Sequence, residues 1–142
     1  MKRVVYLVTF LILFACSKEK SIERKLDGNW LVTKVRIQDS EGFTYDDSIP
    51  SGELSFNAQN KLISGKIKFD YSTISLTSFE DSLQLNDFDY QLNIDEGRFY
   101  ADSANLRYDF RILSITKSDL QIEYYDLQKY QLKRFVLVKK EN

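Results

Sequence analysis

The chain has no histidine, one cysteine, one proline and only five glycines in 142 residues. Without histidine there is no imidazole base, and no ordinary Ser-His-Asp arrangement can be assembled. With a single cysteine there is no internal disulfide, and zinc, copper or haem sites built on Cys and His ligands are excluded. No phosphate loop, dinucleotide fingerprint or nucleophile elbow is present. Charge of one sign is also lacking: 20 Lys and Arg stand against 21 Asp and Glu. That balance offers no basic stripe for a nucleic acid. Beyond residue 28 no segment shows three-and-four apolar spacing at convincing helical length. Aromatic residues are plentiful instead, with ten Phe and nine Tyr in a chain that is 43% hydrophobic. A domain of this size without disulfides must hold together by packing, and that content makes it feasible.

The one long apolar run lies at the start. Met1, Lys2 and Arg3 precede an apolar stretch over 4–14, then Ala15 and Cys16. A basic segment, an apolar segment and a small residue before the processing point make a secretory signal. The run is about a dozen residues, short of the roughly 20 needed to span a bilayer, and it ends at Ser17, Lys18, Glu19 and Lys20. The sequence Leu13-Phe14-Ala15-Cys16 resembles a bacterial lipobox. That resemblance implies cleavage before Cys16, a diacylglyceryl group on its thiol, and residence in the envelope of a Gram-negative bacterium. Acylation also accounts for a free thiol in an oxidising compartment. Ser17 stands where an Asp would imply retention at the inner membrane, so the outer membrane is expected, with the periplasmic or surface face open. The expected organisation is a signal peptide over 1–15, a lipidated tether over 16–25 and one domain over 26–142. A brief helix through Lys25 and Leu26 is the alternative for the end of the tether. Loss of Lys2 and Arg3 with the signal turns 20 basic residues into 18 against 21 acidic ones.

From Leu26 onward the texture is that of strands. Leu31, Thr33, Val35 and Ile37 alternate with Val32, Lys34, Arg36 and Gln38, and a loop is expected over 39–52 around Pro50. Leu54 and Phe56 make a short strand, 58–60 a turn, and Ile63, Ile67, Phe69 and Tyr71 share one parity over 62–71. Ile74 and Leu76 belong to a further short strand ending near Phe79, with a turn over 80–82. Leu83 and Leu85 share one parity and Phe88, Tyr90, Leu92 and Ile94 the other, which places a break or bulge at Asn86 and Asp87. A turn at Asp95, Glu96 and Gly97 precedes Phe99; Leu106, Tyr108, Phe110 and Ile112 form the cleanest alternating run. Leu120, Ile122 and Tyr124 follow, and 131–139 supply the last strand. Eight to ten short strands at this spacing close into a barrel or fold as a sandwich. The all-β barrel of about eight antiparallel up-and-down strands is favoured, because closure removes exposed edges.

Leu26, Gly28 and Trp30 form a Leu-x-Gly-x-Trp motif at the entry to the first strand, Gly52, Leu54 and Phe56 form a later Gly-x-Leu-x-Phe, and Arg134 lies in the last strand. With the lipobox and short tether, this layout resembles the lipocalin-like lipoproteins common in Bacteroidetes, over essentially the whole mature chain. The resemblance implies that Gly28 eases the chain into the first strand, Trp30 closes the base of the barrel and Arg134 lies against or near it. Trp30 suits that place on physical grounds, as a large apolar body with one N–H to satisfy.

About eight strands enclose either a filled core or room for one small ligand. Phe56, Phe69, Tyr71, Phe88, Tyr90, Tyr108, Phe110 and Tyr124 are the candidate inward aromatics, able to fill the barrel or to line a pocket for an apolar or amphipathic molecule. The acids fall mostly singly at turns or strand exteriors, as at Asp87, Asp95, Glu96 and Asp119. The pair Asp46 and Asp47 reads as a solvated loop. No catalytic residue, metal or cofactor is expected. The stretch 124–130, rich in Tyr, suits protein contacts if its rings are exposed together. Two functions follow: non-catalytic carriage of a small apolar or amphipathic ligand near the membrane, or a solid barrel whose loops engage another envelope protein.

Overall fold

The structure is a computed structural model, and it describes residues 22, 24–48, 50–60, 64–73 and 81–141. Cys16, the segment 1–15 and the strand expected over 74–79 lie outside the described residues. The described residues form nine strands: β1 Gly28–Gln38, β2 Thr44–Asp47, β3 Ser51–Asn60, β4 Ser64–Ser72, β5 Ser82–Asn93, β6 Arg98–Ser103, β7 Leu106–Ile115, β8 Asp119–Asp126 and β9 Gln131–Lys139. Neighbours in sequence pair antiparallel from β3 to β9, β1 pairs with β3, and β1 also pairs with β9. That last ladder closes eight strands into an up-and-down barrel, with β2 as an added ninth. Closure leaves the barrel strands without the unpaired edges that invite aggregation.

The inward face is read from burial. Trp30, Leu54, Phe69, Leu85, Phe99, Phe110, Leu120, Ile122, Phe135 and Leu137 are all fully buried, so one core runs along the barrel axis. Bulges help decide which residues reach it, among them those in β1 and β5. In β1 the register against β9 shifts between Val32 and Lys34. Trp30 and Val32 therefore point in below the bulge, and Val35 and Ile37 above it. The unbroken parity expected for Leu31 and Thr33 does not hold, because Thr33 is the extra residue, and its hydroxyl donates to the Val136 carbonyl oxygen at 3.0 Å. The expected break at Asn86 and Asp87 is present. Ile67 pairs with Phe88 but Phe69 with Leu85, and Asp87 has a φ of 56°. Both halves of β5 thus keep their apolar residues inside.

Other expectations shift. The loop expected over 39–52 contains β2, whose Thr44–Asp47 residues pair with Val35 to Gln38 of β1. β3 meets β1 only at Gly28 to Leu31, so the upper half of β1 would otherwise present a bare edge. The turn between β1 and β2 is built by Asp39, whose Oδ1 accepts the N–H groups of Glu41 at 3.0 Å and Phe43 at 2.9 Å. The turn expected over 58–60 is instead the end of β3, which runs to Asn60. Gly52 in β3 is packed where a Cβ would lie 2.5 Å from the Asp70 carbonyl oxygen, so only glycine allows β3 and β4 to come this close.

Alternating strand directions give the barrel two ends. The start of β1 and the ends of β7 and β9 gather at one, here the base. The end of β1 and the starts of β5, β7 and β9 gather at the other, the mouth.

Candidate functional site

The base is sealed. Gly28 enters β1 with a φ of 112°, a conformation that side chains with a Cβ rarely adopt. Two residues later Trp30 is fully buried, and its Nε1 donates to the Leu26 carbonyl oxygen at 2.9 Å. Residues 24–26 are helical and Leu26 is buried. The end of the segment expected as tether is thus a short turn of helix docked on the base. Arg134 does not sit beside Trp30: it points outward, and its guanidinium donates to Glu123 Oε2 at 2.9 Å. The cation over the indole is Lys139, with Nζ 5.2 Å from the ring centroid. Lys139 also donates to the Lys25 carbonyl oxygen at 3.3 Å. Inward parity explains the exchange, since Gln131, Lys133, Phe135 and Leu137 take the inner face of β9.

The middle of the barrel is filled. All eight candidate aromatics lie inside and touch through rings. Phe56 meets Tyr90 at 5.3 Å, Phe69 meets Tyr71 at 5.8 Å and Phe88 meets Tyr108 at 5.9 Å. Phe110 meets Phe69 at 5.8 Å, Tyr124 at 5.1 Å and Tyr108 at 6.4 Å. Phe99 and Phe135, absent from the sequence candidates, complete the set, with Phe99 stacked on Phe110 at 4.8 Å and Phe135 against Tyr71 at 4.7 Å. Most of these contacts are edge-to-face or offset, the arrangements aromatic rings favour. Phe88 and Tyr108 alone of the eight are only partly buried.

Above the rings, toward the mouth, lies a cluster of charge. Lys133 is fully buried on β9, and its Nζ lies 2.9 Å from Asp81 and 2.9 Å from Asp126. The ammonium also stands 5.6 Å from the Tyr124 ring centroid. Asp81, just before β5, accepts from Lys129 Nζ at 2.6 Å and from the Tyr71 hydroxyl. Its backbone is tied to the end of β4, since Thr73 N–H donates to the Asp81 carbonyl oxygen at 2.9 Å. Asp126 Oδ1 accepts the N–H groups of Gln128 at 3.0 Å and Lys129 at 3.1 Å, which shapes the turn that presents Lys129. Burial disfavours the charged form of Asp81, yet hydrogen bonds from Lys129, Tyr71 and Lys133 outweigh it and hold the carboxyl below its ordinary value. Asp126 is lowered in the same way, with Lys133 and the turn N–H groups overcoming burial. Burial, with the neighbouring Asp81 carboxylate contributing, pushes the Tyr71 hydroxyl strongly up, and burial together with Asp126 raises Tyr124. Both phenols are therefore neutral donors.

A cavity of about 410 Å³ opens beside this cluster. Leu83, Tyr108 and Tyr124 give it an apolar wall, and Asp126 and Lys129 a charged one. Of the eight candidate aromatics, Tyr108 and Tyr124 line this cavity and Tyr71 borders a neighbouring one, while the others serve mainly to fill the core. The stretch 124–130 is divided: Tyr124 points in, whereas Tyr125, Leu127 and Tyr130 are exposed.

The cluster was not legible beforehand. By sequence, Asp81 falls in the turn over 80–82 and Lys133 in the last strand, with no role for either. The available signal was the parity of Lys133 with Phe135 and Leu137, weakened because Leu132, Val136 and Val138 make the opposite face apolar too. Asp46 and Asp47 also depart from a solvated loop. They lie on β2, where Asp46 makes a two-pronged pair with Arg36 at 2.7 and 2.9 Å and Asp47 is buried. Asp87, Asp95, Glu96 and Asp119 are exposed. Among the described residues no group of acids, His or Cys is arranged to hold a metal ion.

These features define a lipocalin-like barrel, closed and plugged at its base, solid in the middle and polar at its mouth. Similar solved structures include bovine odorant binding protein in complex with a selenium-containing odorant, at 16% identity and a TM-score of 0.49, covering 84% of this chain and 73% of that one. Odorant-binding protein from bovine nasal mucosa is similar at 16% identity and a TM-score of 0.47, covering 84% and 74%. No family model matches the chain and no curated protein matches it.

Proposed function

We propose that this protein is a non-catalytic binding protein, anchored in the bacterial outer membrane through an acylated Cys16, that takes a small amphipathic molecule at the mouth of its barrel. The observation that carries the reading is the cavity of about 410 Å³ with Leu83, Tyr108 and Tyr124 on one side and Lys129 and Asp126 on the other. Small-molecule sites are commonly concave, of about 300 to 1,000 Å³, mostly apolar and marked by a few polar groups. The filled middle keeps a ligand of this cavity at the mouth end, so a compact molecule fits and a long chain running down the axis does not.

The test is native mass spectrometry of the protein taken from its own membranes, with denaturing analysis of whatever travels with it. A stoichiometric small molecule beyond the anchor lipid, absent from a folded Tyr108→Asp variant, supports the reading. A ligand-free protein removes it. Labelled palmitate that enters the protein but not a Cys16→Ser variant tests the anchor separately.

The exposed side chains of Tyr125, Leu127 and Tyr130, the last two 76% and 63% accessible, favour a second reading, in which this rim engages another envelope protein. A ligand-free mass with a co-purifying protein lost in a Leu127→Asp variant would favour it.

A further inference from the structure

Resting on the reading that an amphipathic molecule is taken at the mouth, we propose that Lys133, Lys129 and Tyr71 form a carboxylate-binding site, and that the side chain of Asp81 occupies it as a built-in competitor of an amphipathic carboxylate. Three donors converge on one carboxyl group, Tyr71 from β4 and Lys129 and Lys133 from the turn into β9 and its first residues. Oδ1 accepts from Lys129 at 2.6 Å and Lys133 at 2.9 Å, and Oδ2 accepts from Tyr71 while lying 2.9 Å from Lys133. Both oxygens are engaged, as in the strongest charge-assisted recognition of carboxylates.

Charge shows that Asp81 is the replaceable member. Lys133 already has a counter-ion in Asp126, at 2.9 Å. With the Asp81 carboxyl taken away, two ammonium groups face one carboxylate, leaving a single positive charge to be met by a single anion. Both carboxylates are unequal in their surroundings too. Asp126 is held by two N–H groups of its own turn, whereas the Asp81 carboxyl reaches the lysines from a backbone fixed at Thr73 by other groups. The carboxyl can therefore leave without breaking those backbone bonds.

Position favours an amphipathic ligand over a simple anion. Lys129, Asp126 and Tyr124 belong both to the charged cluster and to the wall of the mouth cavity. A carboxylate that displaces Asp81 has an apolar wall of Leu83 and Tyr108 beside it for its chain. Lys129 is about half accessible while Lys133 is fully buried, so the anion meets Lys129 first.

The experiment compares decanoate with uncharged decanol by titration calorimetry on the full-length protein and its Asp81→Ala variant. Decanoate is expected to bind the variant at least tenfold more tightly than the wild type, decanol equally to both, and the gain to vanish when Lys133→Met is added. Decanol bound equally by both proteins, with decanoate no tighter to the variant, overturns the competitor and leaves the mouth reading standing. No binding of either molecule to either protein overturns both. If Asp81→Ala unfolds, sodium formate against formamide in a thermal melt decides. A rise in midpoint with formate alone supports the anion site, and equal effects overturn it.

Discussion

The indole N–H of Trp30 donates to the Leu26 carbonyl oxygen at the base of the barrel, so the ring that plugs the start of β1 also fixes the chain leading into it. Residues before the first strand are thus part of the folded unit. Trp30→Phe should cost about 1 to 3 kcal/mol, because it leaves a buried carbonyl unpaired, and Trp30→Ala about 3 to 5 kcal/mol. Urea unfolding measures both. A Trp30→Phe variant as stable as wild type would show that this bond contributes nothing.

Lys133 carries no exposed surface, and its removal strands two carboxylates. Lys133→Met should destabilise by about 3 to 5 kcal/mol at neutral pH, as for other buried pairs broken from one side. Asp81 keeps Lys129 and Tyr71, which places the loss at the lower end. A cycle adding Asp81→Asn should show strong coupling, with the double variant less unstable than the sum of the two single changes. Additive losses would mean that the two groups do not act as a unit.

The same carboxylates set the response to acid. Asp81 and Asp126 have folded values lowered from the ordinary carboxyl value of about 3.9. Their contribution is therefore present above that value and lost as pH falls through the lower folded values. Stability should hold from neutral pH to about 4 and fall below it. The deficit of Lys133→Met should shrink over the same range, because protonation relieves the stranded charges. Chemical unfolding from pH 7 to 3 checks this, and a deficit independent of pH would contradict it.

Gly52 stands where β3 and β4 touch backbone to backbone. Gly52→Ala places a methyl group against the Asp70 carbonyl oxygen and should cost about 1 to 3 kcal/mol, in the range of overpacked cores. An unchanged thermal midpoint would show that the two strands separate freely at this point.

Gln131, 8% accessible at the start of β9, keeps its Oε1 without a hydrogen-bond partner among the described residues. An unsatisfied buried acceptor costs about 1 to 3 kcal/mol. Gln131→Leu should therefore leave stability unchanged or raise it, against the usual direction for a substitution inside a barrel. A clear loss in denaturant titration would reveal a partner for the amide.

Residue order alone carries the class of fold and most of the strands, because alternation of period two, turn residues and the lack of helical spacing act locally. It also placed Trp30 and the eight aromatics inside, and it marked the bulge at Asn86 and Asp87 through a change of parity. The rest depends on contacts between strands far apart in the chain. The bulge at Thr33 is invisible to alternation when residues on both faces of β1 are apolar or long. The strand β2 forms because β3 leaves half of β1 unpaired, a fact about the closed sheet and not about residues 44–47. Lys139, rather than Arg134, covers Trp30, since the parity of β9 is fixed by its neighbours on both sides. The charged cluster depends on contacts between residues up to 52 positions apart, and no local pattern records which lysine a distant aspartate will meet. Whether eight rings fill a barrel or line a cavity is likewise a question of volume, answered by how the strands close around them.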